Sequence, residues 1–136
     1  MARSMDTWVV NDVDTIIKFV ETGPKIAQKY IEKPMKFQGK KFDLRFVVLL
    51  KSVLPLEIYL YDEYYIRFSN NEFRMDPVSF FEYQTHFTVM NYQDGPMTNM
   101  LYPEFEKKVG EEYGPEIWPK AFEKIKKTIA KVFIAF

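Results

Sequence analysis

Residues Lys41-Phe42-Asp43-Leu44-Arg45-Phe46-Val47-Val48-Leu49-Leu50-Lys51 decide the fold. Every even position is apolar, while the odd positions read Lys41, Asp43 and Arg45 before turning to Val47 and Leu49. Successive side chains of a strand point to opposite faces. The run therefore predicts one strand whose even face is a continuous apolar core stripe. Its odd face begins with three charged groups and then becomes apolar. Moving outward, Ser52 to Pro55 predicts a turn, Leu56 to Tyr61 a second strand, and Tyr64 to Ser69 a third after a tight connection at Asp62-Glu63. Connections this short favour an antiparallel meander.

Upstream, Val13, Ile16, Ile17 and Val20 recur at helical spacing, Asn11 or Asp12 can cap the start, and Gly23-Pro24 ends the run. Lys25 to Ile31 is a short β-prone run closed by Lys33-Pro34, and Met35 to Gln38 predicts a further strand or arm turning at Gly39. Residues 70–100 are less regular. Asp76-Pro77 starts a short helix through Tyr83, His86 to Tyr92 is β-prone, and Asp94-Gly95-Pro96 is a turn signal. Pro103 to Tyr113 predicts a helix. Pro119 opens a last one, with Phe122, Ile125, Ile129, Val132 and Phe136 on or near one face. That helix runs to an apolar Phe136 without a glycine or polar cap, and the start is equally abrupt. Residues 1–136 are thus expected to be part of one larger α+β domain, cut at both ends, with a largely antiparallel sheet and flanking helices.

Composition narrows the function. Hydrophobic residues make up 47% of the 136 positions and aromatic residues 18%, which is ample for a core and argues against disorder. Lysine plus arginine equals aspartate plus glutamate at 19 each, so no net charge draws the chain to nucleic acid or to an anionic membrane. The aromatic residues then read as core rather than as base-stacking platforms. With no cysteine there are no disulfides and no thiolate chemistry. No apolar run is long enough to span a bilayer and residues 1–20 do not resemble a signal peptide, so a cytoplasmic protein is expected.

Lys41, Asp43 and Arg45 share one strand face within about 14 Å of chain. Two cations around one carboxylate suit a phosphate-bearing ligand: arginine as a fork for phosphate oxygens, lysine as a point charge, aspartate as an acceptor for sugar hydroxyls. The same pattern also describes a cross-strand salt-bridge ladder on a solvated face. Arg67, between Ile66 and Phe68, either points to the side of Arg45 or is an edge residue with a packed stem. His86 is the only histidine; it has no marked nucleophile beside it and reads as a hydrogen-bonded structural residue. Glu104, Glu106, Glu111, Glu112 and Glu116 lie among lysines and read as a solvated face, so no metal site is expected. The five glycines form neither GxGxxG nor GxxxxGK[ST], which excludes Rossmann and P-loop readings.

The run Gln28-Lys29-Tyr30-Ile31-Glu32-Lys33-Pro34, followed by Lys41-Phe42-Asp43-Leu44-Arg45, resembles the tubulin–tyrosine ligase-like family, whose members carry a QKYIxxP stretch and then KFDLR. Pro55 to Tyr61 and Ile66-Arg67-Phe68-Ser69 are similar to that family's next two strands, and His86-Phe87-Thr88-Val89-Met90-Asn91-Tyr92 points to one branch of it. The resemblance covers nearly the whole chain and is weakest over 93–102 and 114–136.

It implies an ATP-grasp fold and a reaction that joins an amino acid to tubulin through an acyl-phosphate, with ATP and magnesium as cofactors and tubulin as partner. Gln28, Lys29, Tyr30 and Ile31 would be a hinge strand lying against adenine. Lys41 and Asp43 would contact the nucleotide, Asp43 at the ribose, and Arg45 and Arg67 would face the triphosphate and the acyl-phosphate. Thr88 and Asn91 would stand at the acceptor side. They depart from the family's adjacent Thr-Asn pair, because Val89-Met90 intervenes. The family's magnesium ligands, including a Glu-x-Asn motif, are expected outside this chain. Residues 1–136 alone should then turn over nothing. The alternative is a binding or regulatory module that keeps the fold without ligation.

Overall fold

The computed structural model describes residues 7–88 and 99–135. In chain order these form α1 (Val13–Val20), β1 (Lys36–Phe37), β2 (Lys40–Arg45), β3 (Val48–Val53), β4 (Leu56–Leu60) and β5 (Tyr65–Glu72). A 3₁₀ turn (Ser79–Phe81) and α2 (Tyr83–His86) follow, then β6 (Asn99–Leu101), α3 (Tyr102–Tyr113) and α4 (Ile117–Ile134). The class is α+β, as expected. One sheet has the strand order β1-β2-β5-β6, and β3 and β4 form a second. The pairs β1–β2, β3–β4 and β5–β6 are antiparallel.

Four expectations are corrected. The run 41–51 is not one strand: it breaks at Phe46-Val47, and its second half pairs with β4. The break falls where the odd face changes from charged to apolar. The even stripe is half-buried rather than core, and Leu50 is exposed. The three strands are also no simple meander, since β5 neighbours β2 and not β4. Further, Lys25 to Ile31 forms no strand, and His86 ends a helix instead of starting a strand.

The described residues group into two compact units, one from 7–42 and 68–88 and the other from 43–67 and 99–135. In the first, β1 and β2 are a tight hairpin with Lys36 opposite Lys41 and Phe37 opposite Lys40. Both turn residues have positive φ, 50° at Gln38 and 76° at Gly39. That is the left-handed pair which matches the twist of a two-residue hairpin. Phe37 and Phe68 are buried with ring centroids 5.3 Å apart, and Phe42 packs 6.3 Å from Phe68. Helix α1 begins where Asp12 accepts a 2.7 Å bond from the Thr15 amide. Trp8 stacks on Phe19 at 4.8 Å. Its predicted apolar face forms, but no residue of the helix is buried: Val20 is 75% and Val13 68% exposed.

The second unit is built around aromatic side chains. Tyr64 stacks with Trp118 at 5.8 Å and with Phe122 at 5.8 Å, and Phe46 joins it at 4.7 Å. Phe105 and Val109, one turn apart on α3, are fully buried, and Phe105 meets Trp118 edge-on at 5.1 Å. Glu106 was expected on a solvated face. It accepts instead from the Tyr64 hydroxyl at 2.6 Å and from the Trp118 indole at 2.9 Å. Two polar tips inside an aromatic cluster need an acceptor, and a carboxylate can serve both. Burial, then the bond to Glu106, drives the Tyr64 hydroxyl far above its ordinary titration range. Gly114, at φ 100°, ends α3. The β3–β4 hairpin turns at Leu54–Pro55, a cis peptide, and leaves Val47, Leu49, Val53 and Leu54 exposed.

Phe105→Ala should lower the unfolding free energy by about 3–5 kcal/mol in a denaturant titration. Val20→Ala should change it by no more than about 0.5 kcal/mol. A large loss at Val20 would show that α1 is covered in solution.

Candidate functional site

In the first unit, Tyr30 arrives from the irregular segment before β1, Lys41 from β2, Ser79 from the 3₁₀ turn and His86 from α2. Their polar atoms meet. The Lys41 ammonium lies 3.1 Å from the Tyr30 hydroxyl and 3.0 Å from the His86 carbonyl oxygen, with its nitrogen 4.6 Å from the Tyr30 ring centroid. The Tyr30 hydroxyl is 2.8 Å from His86 Nδ1, and His86 Nε2 is 3.2 Å from Ser79 Oγ.

Donor arithmetic fixes the protons. An ammonium has no acceptor, so Tyr30 must accept from Lys41. The Ser79 hydroxyl spends its single hydrogen on a backbone carbonyl and so accepts from His86 Nε2, which leaves Nδ1 to accept the Tyr30 proton. Neutral His86 therefore carries hydrogen on Nε2 and donates it to Ser79, whose hydroxyl in turn points at the Asp76 carbonyl, 2.7 Å away. Burial, followed by the Lys41 charge, holds His86 below the ordinary 6.5, consistent with this tautomer. Burial also pushes Tyr30 up to about 12, so it keeps its proton.

In the second unit, Asp43 of β2 and Arg67 of β5 form a fork. Arg67 Nε donates to one Asp43 oxygen at 2.9 Å and Nη2 to the other. Arg45 Nε stands 3.4 Å from the second oxygen. Arg67 is largely buried at 14% side-chain exposure, while Arg45 is open at 49%. Arg67 thus points toward the side of Arg45. Two guanidinium groups thus meet one carboxylate at a half-open surface, and the carboxylate retains lone pairs beyond those the fork uses. Such a group can hold an anion and accept from a hydroxyl.

The remaining expected residues are placed as follows. Gln28 to Ile31 is irregular chain, not a strand, and among the described residues no backbone group pairs with it. Lys29, Tyr30, Ile31, Glu32 and Lys33 line an open hollow of about 390 Å³. Ile31 is 70% exposed. Thr88 is half-buried, and Asn91 lies outside the described residues. Among the described residues no three acidic or histidine groups come together as metal ligands, and no helix is long and apolar enough to cross a membrane. Sequence reasoning missed Ser79. The available signal was Asp76 three residues earlier, whose side chain accepts from the Ser79 amide at 3.0 Å and sets the turn.

The sequence profile of the tubulin-tyrosine ligase family matches residues 1–134. This chain belongs to the tubulin-tyrosine ligase family. Its antiparallel sheets and helices are those of the family's ATP-grasp-like fold. Among similar proteins, tubulin–tyrosine ligase-like protein 12 of Mus musculus is 39% identical, over 98% of this chain and 21% of the mouse protein. The Homo sapiens protein of that name is 42% identical, over 82% of this chain and 18% of its own length. A probable tubulin polyglutamylase of Bos taurus is 32% identical over 67% of this chain and 21% of the bovine protein. The chain spans about a fifth of the length of these family members.

Two measurements check the geometry. His86 titrates below 6.5 when folded and near 6.5 when unfolded, so the unfolded chain binds more protons as pH falls below that value. The melting temperature should fall between pH 7.5 and 5.5, and His86→Gln should flatten that slope. Asp43→Ala strands the Arg67 guanidinium and should cost about 1–3 kcal/mol. The double variant Asp43→Ala with Arg67→Met should recover part of the loss. Equal destabilisation of the single and double variants would deny the fork.

Proposed function

We propose that this chain is the ATP-binding segment of a tubulin–tyrosine ligase-like protein, one that ligates an amino acid to tubulin through an acyl-phosphate. The observation that carries this reading is the convergence of the Arg45 and Arg67 guanidinium groups on Asp43, in a member of the family. Arg45 and Arg67 face the triphosphate and, in the transfer step, the acyl-phosphate. Fixed guanidinium groups there stabilise charge as it moves between oxygens, at little reorganisation cost. Asp43 accepts from a ribose hydroxyl with the lone pairs its fork leaves. Lys41 adds a point charge. Gln28 to Ile31, whose backbone groups pair with none among the described residues and whose last three line a hollow, accept the adenine edge. Thr88 and Asn91 are assigned to the acceptor side.

Each unit offers donors and acceptors of a kind that suits a nucleotide: guanidinium forks for phosphate and a carboxylate for sugar in the second, backbone groups for the base in the first. These groups do not suit magnesium, for which the described residues offer no ligand cluster, so no step is assigned to the metal. The chain by itself is inactive in transfer. The names of the relatives support tubulin as acceptor, and with it a cytoplasmic location. A second reading, a binding or regulatory module that keeps the fold without ligation, is favoured by the two residues that separate Thr88 from Asn91.

Titration of the chain with ATP, followed by backbone amide shifts, should move Arg45, Arg67 and the 28–31 segment along one saturable curve. Arg45→Ala should weaken that binding about 5- to 20-fold with little change in melting temperature, since an exposed charge contributes little to stability. Absence of any shift at millimolar ATP would sink the nucleotide reading. With radiolabelled amino acids, ATP and tubulin, the chain should incorporate nothing; label above blank would overturn the assignment of inactivity.

A further inference from the structure

Helix α4 carries five lysines against one glutamate, in a chain whose charges balance at 19 each. That glutamate, Glu123, pairs with Lys126. The other four, Lys120, Lys124, Lys127 and Lys131, follow one another at intervals of three or four residues. At 3.6 residues per turn this spacing sets all four on one stripe, about 16 Å from first to last. The stripe runs along the side opposite the packed one. Trp118 is buried, Phe122 stacks on Tyr64 at 5.8 Å, and Ile125, Ile129 and Phe133 are half-buried. The four lysines are exposed, and among the described residues none of them pairs with a carboxylate.

A helix face that serves only solvation gains by mixing its charges. Glutamate and lysine at this spacing stabilise a helix, whereas like charges weaken it. The same unit uses such pairs elsewhere: Lys108 meets Glu104 one turn away at 2.6 Å, and Lys51 meets Glu57 at 2.5 Å. Along the stripe, by contrast, each lysine has another lysine as its helical neighbour. The helix dipole favours Lys131 in the last turn but opposes Lys120 in the first.

We propose that this stripe is a docking surface for an acidic segment of a partner polypeptide. Charge complementarity identifies the occupant, and spacing fits its conformation. An extended peptide brings every second side chain to one face about 6.7 Å apart. The stripe advances in steps of about 4.5 to 6 Å, and flexible lysine stems take up the difference. Nucleic acid and membrane fit less well. α4 has no arginine to fork onto phosphate and no exposed ring on which a base could stack. Its largest apolar side chains, which would have to enter lipid, are spent on the packing of the unit. The surface goes beyond the nucleotide reading and does not depend on it, since none of the four lysines is assigned to nucleotide.

The test titrates a labelled ten-residue oligoglutamate into the intact chain. Binding should saturate at about 50 mM salt and weaken steeply by about 300 mM, as exposed charges are screened. Lys120→Gln, Lys124→Gln, Lys127→Gln and Lys131→Gln together should weaken it about tenfold. Their melting temperature should equal or exceed that of the wild type, because mutual repulsion is removed. A control with Lys18→Gln, Lys25→Gln, Lys51→Gln and Lys107→Gln makes the same change in net charge and should weaken binding less than about twofold. An oligothymidylate of equal charge should bind more weakly than the oligoglutamate.

Equal losses in the two variants would overturn the proposal, as would oligoglutamate binding that does not respond to salt. Equal or tighter binding of the oligothymidylate overturns it in favour of nucleic acid. Adsorption to phosphatidylserine vesicles that an excess of oligoglutamate does not displace overturns it in favour of membrane. Should the stripe variant fold poorly, backbone amide shifts of the wild type decide: those induced by oligoglutamate should concentrate in residues 120–131, and a saturable set elsewhere overturns the assignment.

Discussion

Strand β2 carries charged side chains into half-buried surroundings, and each must find a partner there. A charge taken from water without compensation costs several kcal/mol, more than most single packing contacts return. The structure meets the demand separately in each unit. Lys41 is answered by a hydroxyl, a carbonyl and an aromatic face, while Asp43 is answered by the fork of a nearly buried arginine. Much of the neighbouring order follows. Tyr30 is drawn from an otherwise unpaired segment, His86 takes a defined tautomer, and Arg67 is held on its strand.

The same logic governs the aromatic cluster of the second unit. Tyr64 and Trp118 contribute ring area but bring polar hydrogens, and one carboxylate, Glu106, accepts both. A leucine at that position would fill space yet leave two donors unsatisfied, each costing about 1–3 kcal/mol. Polar groups thus select one arrangement of rings that apolar contact alone would leave interchangeable.

Membership of the tubulin-tyrosine ligase family gives these arrangements a context. The cationic group about Asp43 gathers Arg45 and Arg67 on one carboxylate. Part of its charge sits on an arginine that is half open to solvent. Structural pairing and ligand binding do not compete here. The fork that stabilises Arg67 also fixes its orientation, and a cation fixed beforehand serves a phosphate better than a mobile one.

The sequence by itself determined the class, the family and most elements. Alternation through 41–45, the Gly39 turn and the spacing of Phe122, Ile125 and Ile129 are local signals, and local backbone preference suffices to act on them. It also put Lys41, Asp43 and Arg45 on one face and left open whether Arg67 lay toward Arg45. Tertiary structure decided what periodicity does not encode: that the run 41–51 breaks at Phe46, that the 25–31 segment forms no strand, and that Glu106 turns inward. It also decided that a solitary histidine, read as merely structural, stands between Tyr30 and Ser79. Those outcomes depend on which distant donor meets which acceptor. Partners 56 residues apart, like Tyr30 and His86, leave no local trace of their pairing.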